Sequence, residues 1–105
     1  MCFEQMYDSL KRSELILVDG GMCRFHRRKD HQITIHEIIS TRPGVGATLL
    51  ERLKAIPSAA SLLAKCPADL PSNEWYQRRG FILEATETTR SGRILNVWRL
   101  NLQSN

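Results

Sequence analysis

The chain has 105 residues, 42% of them hydrophobic and 25% charged, and carries a formal net charge of +4. This length and composition favour one compact globular domain over a disordered or fibrous protein, so we predict a single domain spanning residues 1–105. No apolar run approaches the roughly 18 residues of a membrane span, and no secretory signal is visible. The three cysteines, Cys2, Cys23 and Cys66, lack metal-ligand spacing; we predict reduced thiols, a cytoplasmic protein and no metal site.

The spacing of apolar residues predicts one helix followed by three strands in the first half of the chain. Residues from about 3 to 12 have helical spacing, and "LILV" at 15–18 is a strand that ends at the hairpin signal "DGG". "MCRFHRR" continues as a second strand and "QITIHEIIS" as a third. Regular alternation gives the third strand two faces: Ile33, Ile35, Glu37 and Ile39 on one, and Thr34, His36 and Ile38 on the other.

The second half is predicted as helix, strand, helix and two strands. A helix from about 45 to 55 has an apolar stripe of Leu49, Leu50 and Leu53. "SLLAKC" is a short buried strand, after which Ser72 caps a helix that Gly80 ends. "FILEATET" and "ILNVWRLNL" close the chain as two further strands.

This order predicts an α/β (α+β) fold with about six strands and three helices. The sheet should be mixed and mostly antiparallel. Its one strand–helix–strand crossover should be parallel and right-handed.

The crossover contains the loop "STRPGVGATLL", residues 40–50. Helix N-termini carry unpaired amides and partial positive charge, and glycines let backbone approach an anion closely. A Walker A loop would need Gly-Lys-Ser/Thr here, and a dinucleotide fingerprint would need a third glycine. The pattern therefore favours a pyrophosphate site at 44–47 with Arg42 beside it; the alternative is a turn whose glycines serve geometry only.

A second informative stretch is "SNEWYQRRGF", residues 72–81. Trp75 and Phe81 are expected in the core because large aromatic residues are usually buried. The hydroxyl of Tyr76 needs a partner if it is buried, and it can also serve as a proton donor.

Together, "EIISTRPGVGATLLERL" and "NEWYQRRGF" resemble the two motifs of the GNAT family of N-acetyltransferases. The first is similar to the family's acetyl-CoA loop and helix, and the second to its "YxxxGF" helix and strand. The resemblance extends over about 14–102 and implies a cleft between "QITIHEIIS" and "SLLAKC". It implies acetyl-CoA as co-substrate and direct attack of a primary amine on the thioester, with no covalent enzyme intermediate.

The resemblance also implies roles for individual residues. Tyr76 corresponds to the tyrosine that protonates the leaving thiolate, and the pantetheine arm would pair with the backbone at Ile38 and Ile39. The pyrophosphate would lie on the loop amides. The residues implied for the loop are Thr41, Arg42, Pro43, Gly44, Val45, Gly46, Ala47 and Thr48.

Three features depart from the family pattern. Thr41 stands where the family has arginine or glutamine, and Arg42 offers a charge one position later. Asn73 lies nearer the tyrosine than the asparagine that contacts pantetheine in the family, so it is only a weak match for that role. About fourteen residues precede the first strand, so the family's usual first strand and one N-terminal helix are missing. We therefore expect an acceptor site that is open, reduced or completed by a second subunit, and we predict a homodimer.

The general base is the least determined part of the predicted site. Glu37 is the one charge on an isoleucine face, which indicates either a catalytic base or an ion pair with an arginine. His36 titrates in a useful range but is expected on the opposite face. A water relay is a further alternative.

The alternative function class is a non-catalytic module that binds coenzyme A or, through its arginine-rich strands, nucleic acid. The basic hairpin "RFHRRKDH" at 24–31 is expected to be a solvated edge or a surface that steers an acidic acceptor or the coenzyme. The aromatic residues do not interleave with that hairpin, so nucleic acid is not the expected partner. A small-molecule or peptide amine is expected instead.

Overall fold

The computed structural model describes residues 3–102, without the side chains of Met6, Ser9 and Lys11; Cys2 lies outside the described residues. The elements are α1 (Phe3–Lys11), β1 (Leu15–Val18), β2 (Gly21–Arg27), β3 (Gln32–Ser40), α2 (Val45–Lys54), β4 (Ser61–Pro67), α3 (Ser72–Arg78), β5 (Ile82–Thr88) and β6 (Ile94–Asn101). The longest helix in this range has ten residues, and none is long and apolar enough to cross a bilayer.

The six strands form one sheet in the order β1-β2-β3-β4-β6-β5. β3 and β4 are parallel and joined through α2, and the other neighbouring strands are antiparallel. The predicted order of elements and the mixed sheet with one parallel crossover are therefore confirmed.

The core lies between the sheet and α2. Leu49 and Leu53 are completely buried and Leu50 nearly so, and they pack with Cys23 and Phe25 of β2 in one apolar cluster. The predicted stripe of α2 is thus confirmed. It anchors the helix, and with it the loop that precedes the helix, against the sheet.

A β-bulge changes the predicted faces of β3. Cys23 pairs with Ile38, whereas Phe25, two residues further along β2, pairs with Ile35, so β3 contains one extra residue between them. An extra residue reverses the alternation beyond it. As a result Ile38 packs on the core while Ile39 is 48% exposed. The prediction that Ile39 continues the face of Ile33 and Ile35 is wrong for this reason.

The ends of α3 explain how its aromatic residues are held. The N-cap is Pro71 rather than the predicted Ser72, which is the first residue of α3, and no side chain caps the helix. At the other end Gly80 is left-handed, with φ 94°. The N–H groups of Gly80 and Phe81 donate to the carbonyls of Gln77 and Tyr76. This is a Schellman motif, and it brings Phe81 against the Tyr76 ring.

Candidate active site

A cleft opens where the two parallel strands separate. β3 and β4 pair from Gln32↔Ser61 to Ile35↔Ala64, and across the described residues this pairing does not continue. Each strand keeps its other neighbour, β2 and β6 respectively. The facing backbone edges of 36–40 and 65–67 therefore border a cavity of about 280 Å³.

The cleft is lined from four directions: the end of β3, the end of β4, the start of α2 and the first turns of α3. Its lining residues are Ile35, His36, Glu37, Ile38, Ser40, Gly46, Lys65, Cys66, Pro67, Ser72, Trp75 and Tyr76.

A second cavity of about 510 Å³ lies over the glycine loop. It shares Ser40, Gly46 and Trp75 with the cleft, so the two cavities adjoin. Its other lining residues come from the loop and from α3: Thr41, Arg42, Pro43, Gly44, Ala47 and Arg79.

The loop places helix amides at this second cavity. Gly44 is the N-cap of α2, with φ 87° and no side-chain cap; this left-handed angle is the one that glycine adopts without strain. Its carbonyl accepts the N–H of Thr48. Gly46 and Ala47 lie in the first turn, where amides have no carbonyl partner within the helix. The arrangement can bind an anion through these donors.

Gly46 also packs closely against Trp75. A Cβ at this position would lie 3.1 Å from Cζ2 of Trp75. Trp75 is half-buried rather than fully in the core as predicted, because one side of its indole borders the two cavities.

Two cations stand at the loop cavity. Arg42 Nη2 donates to the Asp19 carbonyl at 2.9 Å and lies 3.0 Å from the Asp19 carboxylate. Arg79 lies over the Trp75 ring, with 5.6 Å from its guanidinium carbon to the ring centroid. The sequence reasoning missed Arg79, although its position four residues after Trp75 on one helix face was the available signal.

The remaining predicted loop residues have structural contacts. Thr41 donates its hydroxyl and its N–H to the carbonyl of Gly20. Thr48 Oγ1 donates to the Gly44 carbonyl. Val45 packs on the core. The contact of Thr41 ties the loop to the β1–β2 turn. Val45, Thr48 and Ile39 do not line either cavity.

Asn73 has its hydrogen-bonding capacity occupied inside the protein. Its Nδ2 donates to the carbonyls of Pro67 and Leu70, each at 2.8 Å. Its Oδ1 accepts from Asn96 Nδ2 and Trp98 Nε1, each at 2.9 Å. An amide side chain has two donor hydrogens and two acceptor lone pairs. Asn73 therefore joins α3 to β4 and β6, and the predicted pantetheine contact has no support from this geometry.

Tyr76 is 6% exposed and lines the cleft. Its ring meets Trp75 and Phe81 edge-on, with 5.2 Å between centroids in both cases. Burial raises the pKa of Tyr76, and the nearby thiols of Cys66 and Cys23 raise it further. The phenol is therefore protonated at neutral pH, which is the form that a proton donor needs.

Cys66 lies in the same wall of the cleft and is 4% exposed. Burial raises the pKa of the Cys66 thiol, although a hydrogen bond with Ser72 acts in the opposite direction. A nucleophilic cysteine needs the thiolate. The geometry thus agrees with a packing role for Cys66.

Two titratable residues of β3 line the cleft. Glu37 forms an ion pair with Arg24, with 3.3 Å between Oε1 and Nη2. This is the ion-pair alternative anticipated from the sequence. His36 also lines the cleft, because the bulge displaces it from regular alternation.

No protein-family model and no curated protein matches the sequence. Solved structures do match. A GNAT-family acetyltransferase from Bacillus cereus has a TM-score of 0.80 at 12% identity, covering 96% of this chain and 79% of that one. A Bacillus subtilis acetyltransferase in complex with CoA has a TM-score of 0.73 at 17% identity, covering 96% and 84%. The ribosomal-protein-S18-alanine N-acetyltransferase of Escherichia coli has a TM-score of 0.72 at 17% identity, covering 99% and 79%. The chain thus has the fold of GNAT acetyltransferases.

Proposed function

We propose that this protein is an acetyl-CoA-dependent N-acetyltransferase that acts on a primary amine. The observation that carries the proposal is the adjoining pair of cavities, which runs from the glycine loop to Tyr76 between separated parallel strands. The CoA complex of a protein with the same fold supports coenzyme A as the ligand.

The two cavities suit different parts of the coenzyme. The pyrophosphate would accept hydrogen bonds from the amides of Gly46 and Ala47, close to Arg42 and Arg79. The pantetheine arm would lie along the edge of β3 at Ile38, on the side that β4 no longer covers, where strand-edge backbone groups need partners. Ile39 pairs with Met22 of β2 and lies outside both cavities. The acetyl group would then reach Tyr76 and Cys66 in the cleft.

The proposed reaction is direct attack of the amine nitrogen on the thioester carbonyl. A C–N bond forms, the tetrahedral intermediate collapses, and the C–S bond breaks. The leaving thiolate takes a proton from the Tyr76 phenol. The cleft supplies orientation as well, because holding two reactants together removes much of the entropic cost of their encounter.

Acetyl-CoA binding and acetyl transfer test the proposal separately. Calorimetry with acetyl-CoA measures the first, and product formation with a panel of peptide α-amines, lysine peptides and polyamines measures the second. Binding without acetylation of any amine would favour a non-catalytic coenzyme-A module. Absence of binding, with salt-dependent binding of DNA or RNA, would favour the nucleic-acid alternative.

Removing either arginine at the loop cavity should weaken acetyl-CoA binding. Arg79→Ala and Arg42→Ala should each weaken acetyl-CoA binding about tenfold, or about 1.4 kcal/mol. Arg42 already forms an ion pair with Asp19, so Arg42→Ala should not weaken acetyl-CoA binding more than Arg79→Ala does.

Arg78→Ala is the matched control for Arg79→Ala. Arg78 lies on the same helix but pairs with Glu74 and does not line the loop cavity. Calorimetry should show unchanged affinity for Arg78→Ala. Equal weakening by both variants would mean that net charge, rather than position, attracts the coenzyme.

We also propose that the chain acts as a homodimer in a reducing, cytoplasmic setting. Exposed apolar side chains on the two edge strands of the sheet support self-association: Leu17 of β1 is 60% exposed and Ile82 of β5 is 70% exposed. Both described cysteines, Cys23 and Cys66, are free thiols.

Light scattering at micromolar concentration should give the mass of a dimer. Leu17→Ser and Ile82→Ser remove apolar area from one surface each, so the variant that becomes monomeric identifies the interface. A monomer for the unaltered chain would refute the dimer.

A further inference from the structure

A cluster of titratable side chains adjoins the cleft on the side of β2. Glu14 is 6% exposed, and its Oε2 accepts the N–H of Arg27 at 2.7 Å. The same oxygen lies 3.0 Å from Nδ1 of His26. The ring of His26 is in turn 6.4 Å from that of His36, centroid to centroid.

The bulge determines where His36 lies. Arg24 pairs with Glu37 and Phe25 with Ile35, so His36 is the residue that the register omits. His36 lines the cleft together with Tyr76 and is exposed to solvent. A group in this place can meet an amine in the cleft and can also exchange protons with water.

Glu37 is less suited to take a proton because it faces Arg24. The carboxylate lies 3.3 Å from the guanidinium, so the ion pair already occupies its Oε1. Removing a proton from an ammonium therefore falls more readily to the neighbouring imidazole.

We propose that His36 accepts the proton of the acceptor ammonium in the cleft. The inference rests on the proposed function. His36 takes one proton, and the neutral amine attacks the thioester. The nitrogen loses its second proton to water as the C–S bond breaks, and the thiolate takes the Tyr76 proton. His36 and Tyr76 then return to their starting states by exchange with solvent, so one proton is released per acetyl group.

The charges around His36 support this role. Burial lowers the pKa of His36 below its ordinary 6.5, and Arg24 and His26 lower it further, whereas Glu14 and Glu37 raise it. Lys65 lines the opposite wall and is paired with Glu87. The imidazole is therefore neutral at pH 7 and able to accept a proton. Its acceptor capacity is lost as the pH falls below 6.5.

The test is the pH profile of kcat/KM from pH 5 to 9, measured with the most active amine of the panel. The unaltered protein should show an acid limb below pH 6.5. His36→Gln should replace that limb by a rise that continues up to the pKa of the amine, because only the neutral amine then reacts; the loss of kcat/KM should therefore shrink at high pH. Acetyl-CoA affinity should not change.

Substitutions at two neighbours of His36 serve as controls, because they should shift the acid limb in opposite directions. His26→Gln removes a positive neighbour, so it should move the limb to higher pH. Glu37→Gln removes a negative neighbour, so it should move the limb to lower pH. Loss of the limb in Glu37→Gln, or a limb at an unchanged pH in His36→Gln, would overturn the proposal. A merely structural His36 would lower thermal stability without altering the profile.

Histidine resonances observed by NMR in the CoA-bound protein give a readout that does not depend on turnover. His36 should titrate below 6.5, and titration above pH 7 would overturn the inference. Failure of the proposed function would look different, because acetyl-CoA would not bind or no amine would be acetylated.

Discussion

Tyr76→Phe is expected to lower kcat about 10²–10⁴-fold, the usual contribution of a positioned general acid. The substitution removes only the hydroxyl. The ring contacts with Trp75 and Phe81 remain, so the helix and the cleft should keep their shape. Acetyl-CoA affinity should stay the same, because the proton is transferred in the transition state and not in the bound ground state.

The pH dependence adds a second check on Tyr76. Because burial and two thiols raise its pKa, the phenol should stay protonated across the alkaline range of the assay. Its titration should therefore add no basic limb near pH 8. Steady-state kinetics and calorimetry on the same preparation separate the outcomes. Full kcat in Tyr76→Phe would make this residue a packing aromatic and leave water as the acid.

Gly46→Glu is expected to abolish measurable acetyl-CoA binding while the protein stays folded. A carboxylate about 4 Å from one phosphate charge costs about 4 kcal/mol at an effective dielectric constant of about 20. That cost corresponds to roughly a 10³-fold loss of affinity. The new side chain would also start 3.1 Å from the Trp75 indole, which adds a steric effect.

Gly46→Gln separates charge from bulk, since it has nearly the same size and no charge. It should weaken binding less than Gly46→Glu does, as measured by calorimetry. Equal losses in the two variants would assign the effect to the contact with Trp75. Unchanged affinity in Gly46→Glu would remove the pyrophosphate from this loop altogether.

The roles of the two glycines in the loop could be predicted from the sequence to different extents. Gly44 has a left-handed angle as the N-cap of α2, and this role is visible in the sequence because glycine adopts that angle most readily. The role of Gly46 is visible only in part. Its closeness to Trp75 depends on how α3, some thirty residues later, packs beside α2.

Asn73 and Arg79 are residues whose side-chain roles were not predicted from the sequence. Both lie in a helix whose existence the sequence predicts. Asn73 turns inward to Asn96 and Trp98, whereas Arg79 turns outward over Trp75 to the loop cavity. The contacts of Asn73 depend on β6, which is distant in the sequence, whereas the contact of Arg79 with Trp75 is local.

By itself, the sequence determined the order of helices and strands, the apolar stripe of α2, the parallel crossover and the left-handed glycines that end helices and turns. These features depend on spacing and backbone preferences within a few residues. Only the tertiary structure decided the bulge at His36 and the contact of Glu14 with His26. Each of these depends on strand register, which is the sum of many weak contacts between residues far apart along the chain.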